Sequence, residues 1–232
     1  MEHQSIPLAE QVSNRIINYI IENDLKPNDK LATENKLTEM MGAGRSTIRE
    51  AIKLLVSRNI LEVRHGSGTF VANNVGITDD PLGLSFEKDK AQLTKDLLAI
   101  RMMIEPPITA LAAQNATEED ILEIEKHYKK VEELIHMGKS YIEEDMRFHK
   151  AIAQASKNIV IPKLLPTINQ AINLFTVRTG FKLLKETIET HSAMVKAIKE
   201  HDPIAAQDAS TLHLIYNRDL LRKIEKEEKS KK

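Results

Sequence analysis

Apolar residues recur at the spacing of amphipathic helices in three successive stretches near the N-terminus. The first stretch ends at Asn23, the second begins after Thr33, a suitable N-cap, and ends at Gly42, and the third covers residues 45–57. The side chains that we expect these helices to bury are Val12, Ile16, Ile20, Leu37, Met40, Met41, Ile48, Ala51, Ile52 and Leu55. The pattern therefore predicts three short helices around one small core.

The pattern changes to a period of two after the third helix. Leu61 and Val63 alternate with polar residues, and Phe70 follows a turn that contains Gly66 and Gly68. Two short strands joined through glycine form a β-hairpin. Because only residues 41–44 separate the second helix from the third, the stretch is typical of a winged helix-turn-helix.

From about residue 90 to residue 228 the apolar pattern is helical throughout and predicts an all-α bundle of six or seven helices. Thr117 with Asp120 forms a capping-box pattern, and Asp202 followed by Pro203 marks the start of the last helix. The fold class is therefore mainly α. We expect a DNA-binding domain at 1–74, a linker rich in turn-forming residues at 75–89, the helical domain at 90–228 and a charged tail at 229–232.

Composition excludes several classes of protein. No apolar run among the 232 residues is long enough to span a membrane, so we expect no membrane partner. The absence of cysteine excludes disulfides, thiolate metal sites and cysteine nucleophiles, and it fits a reducing cytoplasm, where we place the protein. The net charge of −1 excludes a wholly basic coat for nucleic acid but allows a local basic face.

The third helix concentrates positive charge at the end that would enter a DNA major groove. Arg45 and Arg49 lie one turn apart at its N-terminus, and Lys53 follows one turn later. Arginine suits bidentate bonding to guanine, and the hydroxyls of Ser46 and Thr47 can hold phosphate. The alternative is a solvated helix face, but the short turn before this helix and the hairpin after it favour DNA binding.

The hairpin supplies a second set of candidate DNA contacts. Arg64, His65 and Gly66 stand at its glycine-containing tip, which is narrow enough to reach a minor groove.

Three histidines of the helical domain have a spacing that would allow them to meet. Asp145 and His149 are one turn apart on a helix with apolar neighbours, and His191 and His213 lie at similar distances on either side of the turn at His201. In an antiparallel helix pair those two imidazoles would stand at the same height. The four side chains could then form a site for a divalent ion, with Zn²⁺ the first candidate and Ni²⁺ or Mn²⁺ as alternatives. Spacing alone leaves open that each histidine is a hydrogen-bonded core residue.

A metal held by four protein ligands would leave one or two coordination positions for a small carboxylate or hydroxy acid. Arg101 is a candidate second contact for such an effector. An ion pair between Arg101 and Glu105, one turn apart on the same helix, is the alternative.

Residues 7–72 resemble the GntR family of bacterial transcription regulators. The matching motifs are Leu31-Ala-Thr-Glu34, Gly42-Ala-Gly-Arg-Ser-Thr47, Arg49-Glu-Ala51 and Gly66-Ser-Gly-Thr-Phe-Val71. The resemblance implies that Arg45, Arg49 and His65 stand at positions that contact DNA in relatives.

The helical domain resembles the FCD ligand-binding domain of the FadR branch of this family. The matching pieces are Asp145-x-x-Phe-His149, His191, His213, Arg101-x-x-x-Glu105 and Leu111-Ala-Ala113. In metal-binding members, the residues matching Asp145, His149, His191 and His213 hold a divalent ion.

These observations predict a metabolite-responsive transcription regulator, in this branch most often a repressor. We expect a homodimer on a pseudo-palindromic double-stranded operator, released by a small organic acid bound at the metal. The alternative is a metal-dependent hydrolase fused to a DNA-binding module. No His-Glu-x-x-His pairing supplies a general base for that reaction, so we expect the protein not to be an enzyme.

Overall fold

A computed structural model of the chain describes residues 6–73, 75–76, 80, 82–180 and 182–230. Outside the described residues lie 1–5 and 74 of the predicted first domain, 77–79 and 81 of the predicted linker, 181 of the helical domain, and 231–232 of the tail. The chain divides into two compact units, Met1–Asp79 and Asp80–Lys232.

The first unit is a winged helix-turn-helix, as predicted. Its helices and strands are Leu8–Glu22 (α1), Glu34–Met41 (α2), Arg45–Ser57 (α3), Leu61–Arg64 (β1) and Gly68–Val71 (β2). The predicted apolar positions of α1 and α3 form the core together with Leu37 and Met41. The prediction for Met40 was wrong, because its side chain is 41% exposed. In this two-turn helix, Leu37 and Met41 are four residues apart and share the buried stripe, whereas Met40 lies at its edge.

The hairpin is anchored to the segment that precedes α2. β1 and β2 pair antiparallel from Leu61 opposite Val71 to Arg64 opposite Gly68. The turn between them contains Gly66 with a φ of 71°, a left-handed conformation that glycine adopts without strain. The N–H of Leu31 donates to the carbonyl of Thr69 at 2.8 Å, so the segment before α2 continues the small sheet.

The second unit is all-helical. Its α-helices are Lys90–Asn115 (α4), Glu118–His136 (α5), Ile142–Ala155 (α6), Leu165–Thr179 (α7), Leu184–Lys199 (α8) and Pro203–Lys229 (α9), with short 3₁₀ helices at Leu84–Phe86 and Ile161–Leu164. Six α-helices among the described residues agree with the predicted number. None of the helices in the described part of the chain is long and apolar enough to cross a membrane.

Helix α4 packs against α6, α7, α8 and α9, and α8 and α9 form an antiparallel hairpin. The predicted caps are present: Thr117 forms a capping box with Asp120, and Asp202 accepts hydrogen bonds from the first turn of α9. Pro106 and Pro107 lie inside α4. The core residues of this bundle include Phe148 of α6, which directly precedes His149, and Met194 of α8, three residues after His191.

Candidate metal centre and nucleic-acid interface

Three histidines from three helices meet inside the second unit. His149 of α6, His191 of α8 and His213 of α9 are all buried, and each offers one ring nitrogen within 4.8 Å of the other two. That spacing is close to what donors of a shared ion need, because metal–nitrogen bonds are about 2.1 Å long. Asp145, one turn before His149, places its Oδ1 atom 3.5 Å from Nε2 of His191.

Several polar atoms of this cluster have no hydrogen-bond partner. Among the described residues, Oδ1 of Asp145, Nε2 of His149 and both ring nitrogens of His191 are buried and unpaired. Buried polar atoms without a partner are rare in native proteins and cost stability, so each one needs an explanation. A bound cation would satisfy the carboxylate oxygen and one nitrogen of each imidazole at the same time, so these residues fit a divalent metal ion.

The electrostatic environment keeps the three imidazoles in the neutral form that can coordinate a metal ion. Burial, reinforced by the Arg101 guanidinium, holds the pKa of His149, His191 and His213 well below the usual value, so at neutral pH their rings are uncharged and carry free lone pairs. Burial raises the pKa of Asp145 to about 7, while Arg101 opposes this shift and Glu105 adds to it. A cation beside Asp145 would favour its charged form.

Neighbouring side chains orient the third imidazole. Nδ1 of His213 lies 3.0 Å from the hydroxyl of Thr190, and that hydroxyl donates to the carbonyl of Glu186 at 2.6 Å. The hydroxyl hydrogen is therefore used, so His213 donates from Nδ1 and its Nε2 carries the lone pair, near the Asn217 amide at 3.4 Å. Supports of this kind fix the tautomer of metal-binding histidines. Phe148 stacks on the ring of His191 at 4.3 Å.

Arg101 is paired with Glu105. Its Nε donates to Oε1 at 2.5 Å and its Nη2 to Oε2 at 3.2 Å, and both side chains are buried. The ion pair that the sequence offered as the alternative is thus present. Oε2 of Glu105 also lies 3.5 Å from Nδ1 of His149, so the pair adjoins the histidine cluster.

A small cavity lies beside this pair. It is about 10 Å³, room for roughly one water molecule. Its lining residues are Glu105, Ile108, Thr109, His149, Ile152, Ala153, Leu165 and Ile168. An organic acid would have to widen it.

In the first unit, α3 presents its predicted DNA contacts on an accessible face. Arg45, Ser46, Arg49 and Lys53 are exposed, and Thr47 is half-buried. Arg45 has no partner among the described residues. Nε of Arg49 donates to Glu34 at 2.8 Å, and Lys53 pairs with Glu50 of its own helix at 2.8 Å.

At the hairpin, His65 and Gly66 are exposed at the tip, as predicted. Arg64 is half-buried: it donates to Asn28 at 2.5 Å, pairs with Glu62 and lies 4.5 Å from the ring centre of Phe70. Its guanidinium is therefore held against the wing.

Several supporting residues were not found from the sequence. Asn217 lies one helical turn after His213, a spacing that could have revealed it. Thr190 and Glu34 meet their partners 23 and 15 residues away along the chain, and only the packing of helices brings them together.

A winged helix-turn-helix joined to a helical unit with an internal histidine cluster defines a DNA-binding regulator with a ligand-sensing domain. Residues 8–71 match the family described as "Bacterial regulatory proteins, gntR family", and residues 96–215 match the family described as "FCD domain". The chain belongs to the GntR family and carries an FCD domain.

Known proteins agree with this assignment. The chain is 28% identical to the HTH-type transcriptional regulator LutR of Bacillus subtilis, over 85% of the chain and 94% of LutR. It is 30% identical to the Uxu operon transcriptional regulator of Escherichia coli, over 88% and 83%. A solved structure of a Streptococcus agalactiae GntR protein is 38% identical, with a TM-score of 0.81, over 91% of this chain and 99% of that one.

The chain is therefore a DNA-binding, metabolite-responsive transcription regulator. GntR-family regulators bind DNA operators, and FCD domains bind small-molecule effectors. The family and these relatives are transcription regulators and not enzymes, which rules out the hydrolase alternative.

Proposed function

We propose that this protein is a homodimeric repressor that a small organic acid releases from its operator through a metal-dependent site in the helical domain. The observation that carries the proposal is the buried cluster with unpaired donor atoms at Asp145, His149 and His191. A structural role alone gives no reason to bury these atoms without partners.

The proposed ligands of the divalent ion are Asp145, His149, His191 and His213. An ion bound there would supply a positively charged position that can accept a carboxylate of the effector. Zn²⁺ is the first candidate, because three imidazoles and one carboxylate are among the donors it prefers. Thr190 supports this role by fixing the tautomer of His213.

The proposed effector is a small carboxylate or hydroxy acid. Arg101 is the cationic side chain next to the cluster, and an incoming carboxylate would compete with Glu105 for its guanidinium. Because the neighbouring cavity holds about one water, binding would require helices to move apart. An effector regulates only if it binds one arrangement of the protein better than another.

The proposed DNA contacts are Arg45, Ser46, Thr47, Arg49 and Lys53 of α3 and Arg64, His65 and Gly66 of the wing. In a dimer, two such units would read half-sites about one helical turn apart on a pseudo-palindromic operator. Transcription in vitro from a promoter that contains the bound sequence tests the sign of regulation: the proposal predicts fewer transcripts with the protein, and more transcripts would contradict it.

A thermal-unfolding screen of organic acids tests the sensing half of the proposal. We expect Zn²⁺ to raise the unfolding temperature of chelator-treated protein, because a ligand of the native state adds about 2.7 kcal/mol at a hundred times its Kd. At least one acid should raise it further only when Zn²⁺ is present. An acid that stabilises the chelated protein equally well would contradict a metal-dependent site.

A further inference from the structure

Arg49, a proposed DNA contact, is held by a carboxylate from another helix. Its Nε donates at 2.8 Å to Oε2 of Glu34, the first residue of α2. Arg45, which lies on α3 like Arg49, has no partner within the described part of the chain. Lys53 pairs with Glu50 of α3 itself. Among the proposed contacts of α3, Arg49 is therefore the described cation that a residue of another helix orients.

The contact between Glu34 and Arg49 adds little to stability. The two side chains are 41% and 64% exposed, and exposed ion pairs contribute between nothing and about 1 kcal/mol. A carboxylate beside a DNA-binding arginine also has a cost, since it repels phosphate. The arrangement needs another reason than folding.

The geometry points to a function in recognition. Glu34 occupies Nε and leaves both terminal Nη groups of Arg49 free, which is the edge that can bond guanine O6 and N7 together. A guanidinium fixed in this way is less able to swing toward a phosphate, and phosphate contacts carry no sequence information.

We propose that Glu34 is a positioning residue that sets DNA specificity by holding Arg49 for base readout and away from phosphate. The inference rests on the proposed DNA-contacting role of α3. It predicts that Glu34 lowers the affinity for non-specific DNA while it supports the affinity for the operator.

The test uses the full-length protein and two duplexes: the most enriched sequence that it selects from a random library, and a scrambled duplex of equal length. For Glu34→Gln we expect the ratio of the two affinities to fall roughly fivefold, part of the discrimination that a bidentate contact supplies. With the scrambled duplex, the slope of log K against log salt should steepen by about 0.9, because Arg49 becomes free to neutralise one more phosphate.

Glu39→Gln is the matched control, since Glu39 is exposed on the same helix, and it should leave the ratio unchanged. In an Arg49→Gln background, Glu34→Gln should cause no further loss of specificity, because Glu34 acts through Arg49. Unfolding temperatures of all variants show that each remains folded.

Two failures are distinguishable. If Arg49→Gln leaves binding of the selected duplex unchanged, or if no duplex is enriched, the proposed recognition helix is wrong. If Arg49→Gln weakens binding but Glu34→Gln leaves the affinity ratio unchanged, or lowers both affinities equally, only the role of Glu34 is overturned.

Discussion

At the scale of single residues, the unpaired donors favour the proposed metal site over an ordinary core. A histidine with an ordinary structural role hydrogen-bonds to its neighbours, as half-buried His127 does when its Nε2 lies 2.9 Å from a carboxylate oxygen of Glu123. His191 is fully buried, yet neither of its ring nitrogens has a partner among the described residues. The difference between these two histidines supports the proposal that His191 is a metal ligand.

Replacing His191 by leucine should abolish metal binding without damaging the metal-free protein. We expect metal analysis to find about one ion per wild-type chain, and the variant to bind more than about 100-fold more weakly, because a direct ligand is lost. In the presence of a chelator the variant should unfold at or above the wild-type temperature, since it no longer buries unpaired nitrogens.

His136→Leu is the control, because His136 is exposed at the end of α5, and it should keep the metal. Two results would favour the ordinary-core alternative. One is wild-type protein that binds no metal, and the other is a His191→Leu variant that unfolds at a clearly lower temperature than wild type in the presence of chelator.

At the scale of helices and strands, most ends were predictable because they depend on local chemistry. Thr33, Thr117 and Asp202 cap helices as expected, since a side-chain oxygen reaches backbone N–H groups only two or three residues away. Met40 was assigned wrongly because periodicity gives the direction of a stripe but not its width. Pairs such as Glu34 with Arg49 depend on the packing of two helices, which no local pattern encodes.

The cap at Asp202 has a measurable effect on stability. Its carboxylate accepts from the N–H groups of Ile204 and Ala205, both at 3.0 Å. Asp202→Ala should cost about 1 kcal/mol, which lowers the unfolding temperature of a unit of this size by about 2–4 °C. Asp208→Ala, an exposed position inside the same helix, should change it much less, and equal losses would contradict the capping role.

A substitution in the proposed recognition helix α3 should change the affinity for DNA and leave stability unchanged. Arg45 is exposed without a partner in the described chain, so Arg45→Ala should leave the unfolding temperature unchanged. The affinity for the selected duplex should fall by about 1–3 kcal/mol, as measured by fluorescence anisotropy. Arg15→Ala, on the exposed face of α1, is the control with the same loss of charge. Equal effects of the two variants would contradict a specific role for Arg45.

At the scale of the whole molecule, a nearly neutral chain combines a winged helix-turn-helix unit with a helical unit that carries an FCD domain. The net charge of −1 gives no long-range attraction to DNA, so we expect the affinity to come from the proposed contacts on α3 and the wing. Sequence periodicity predicted both units. The spacing of His149, His191 and His213 allowed them to meet, and the resemblance to the FCD domain favoured that alternative. Periodicity could not predict the size of the cavity beside Glu105, which depends on how six helices pack.

The most direct test measures operator affinity with and without organic acids, in zinc-loaded wild-type protein and in His191→Leu. The account predicts that an acid which stabilises the zinc-loaded protein weakens its binding to the selected duplex at least tenfold, a coupling of about 1.4 kcal/mol. It also predicts that the same acid has no effect on DNA binding by His191→Leu. Equal release of DNA from both proteins would contradict the claim that the histidine cluster controls the DNA-binding unit.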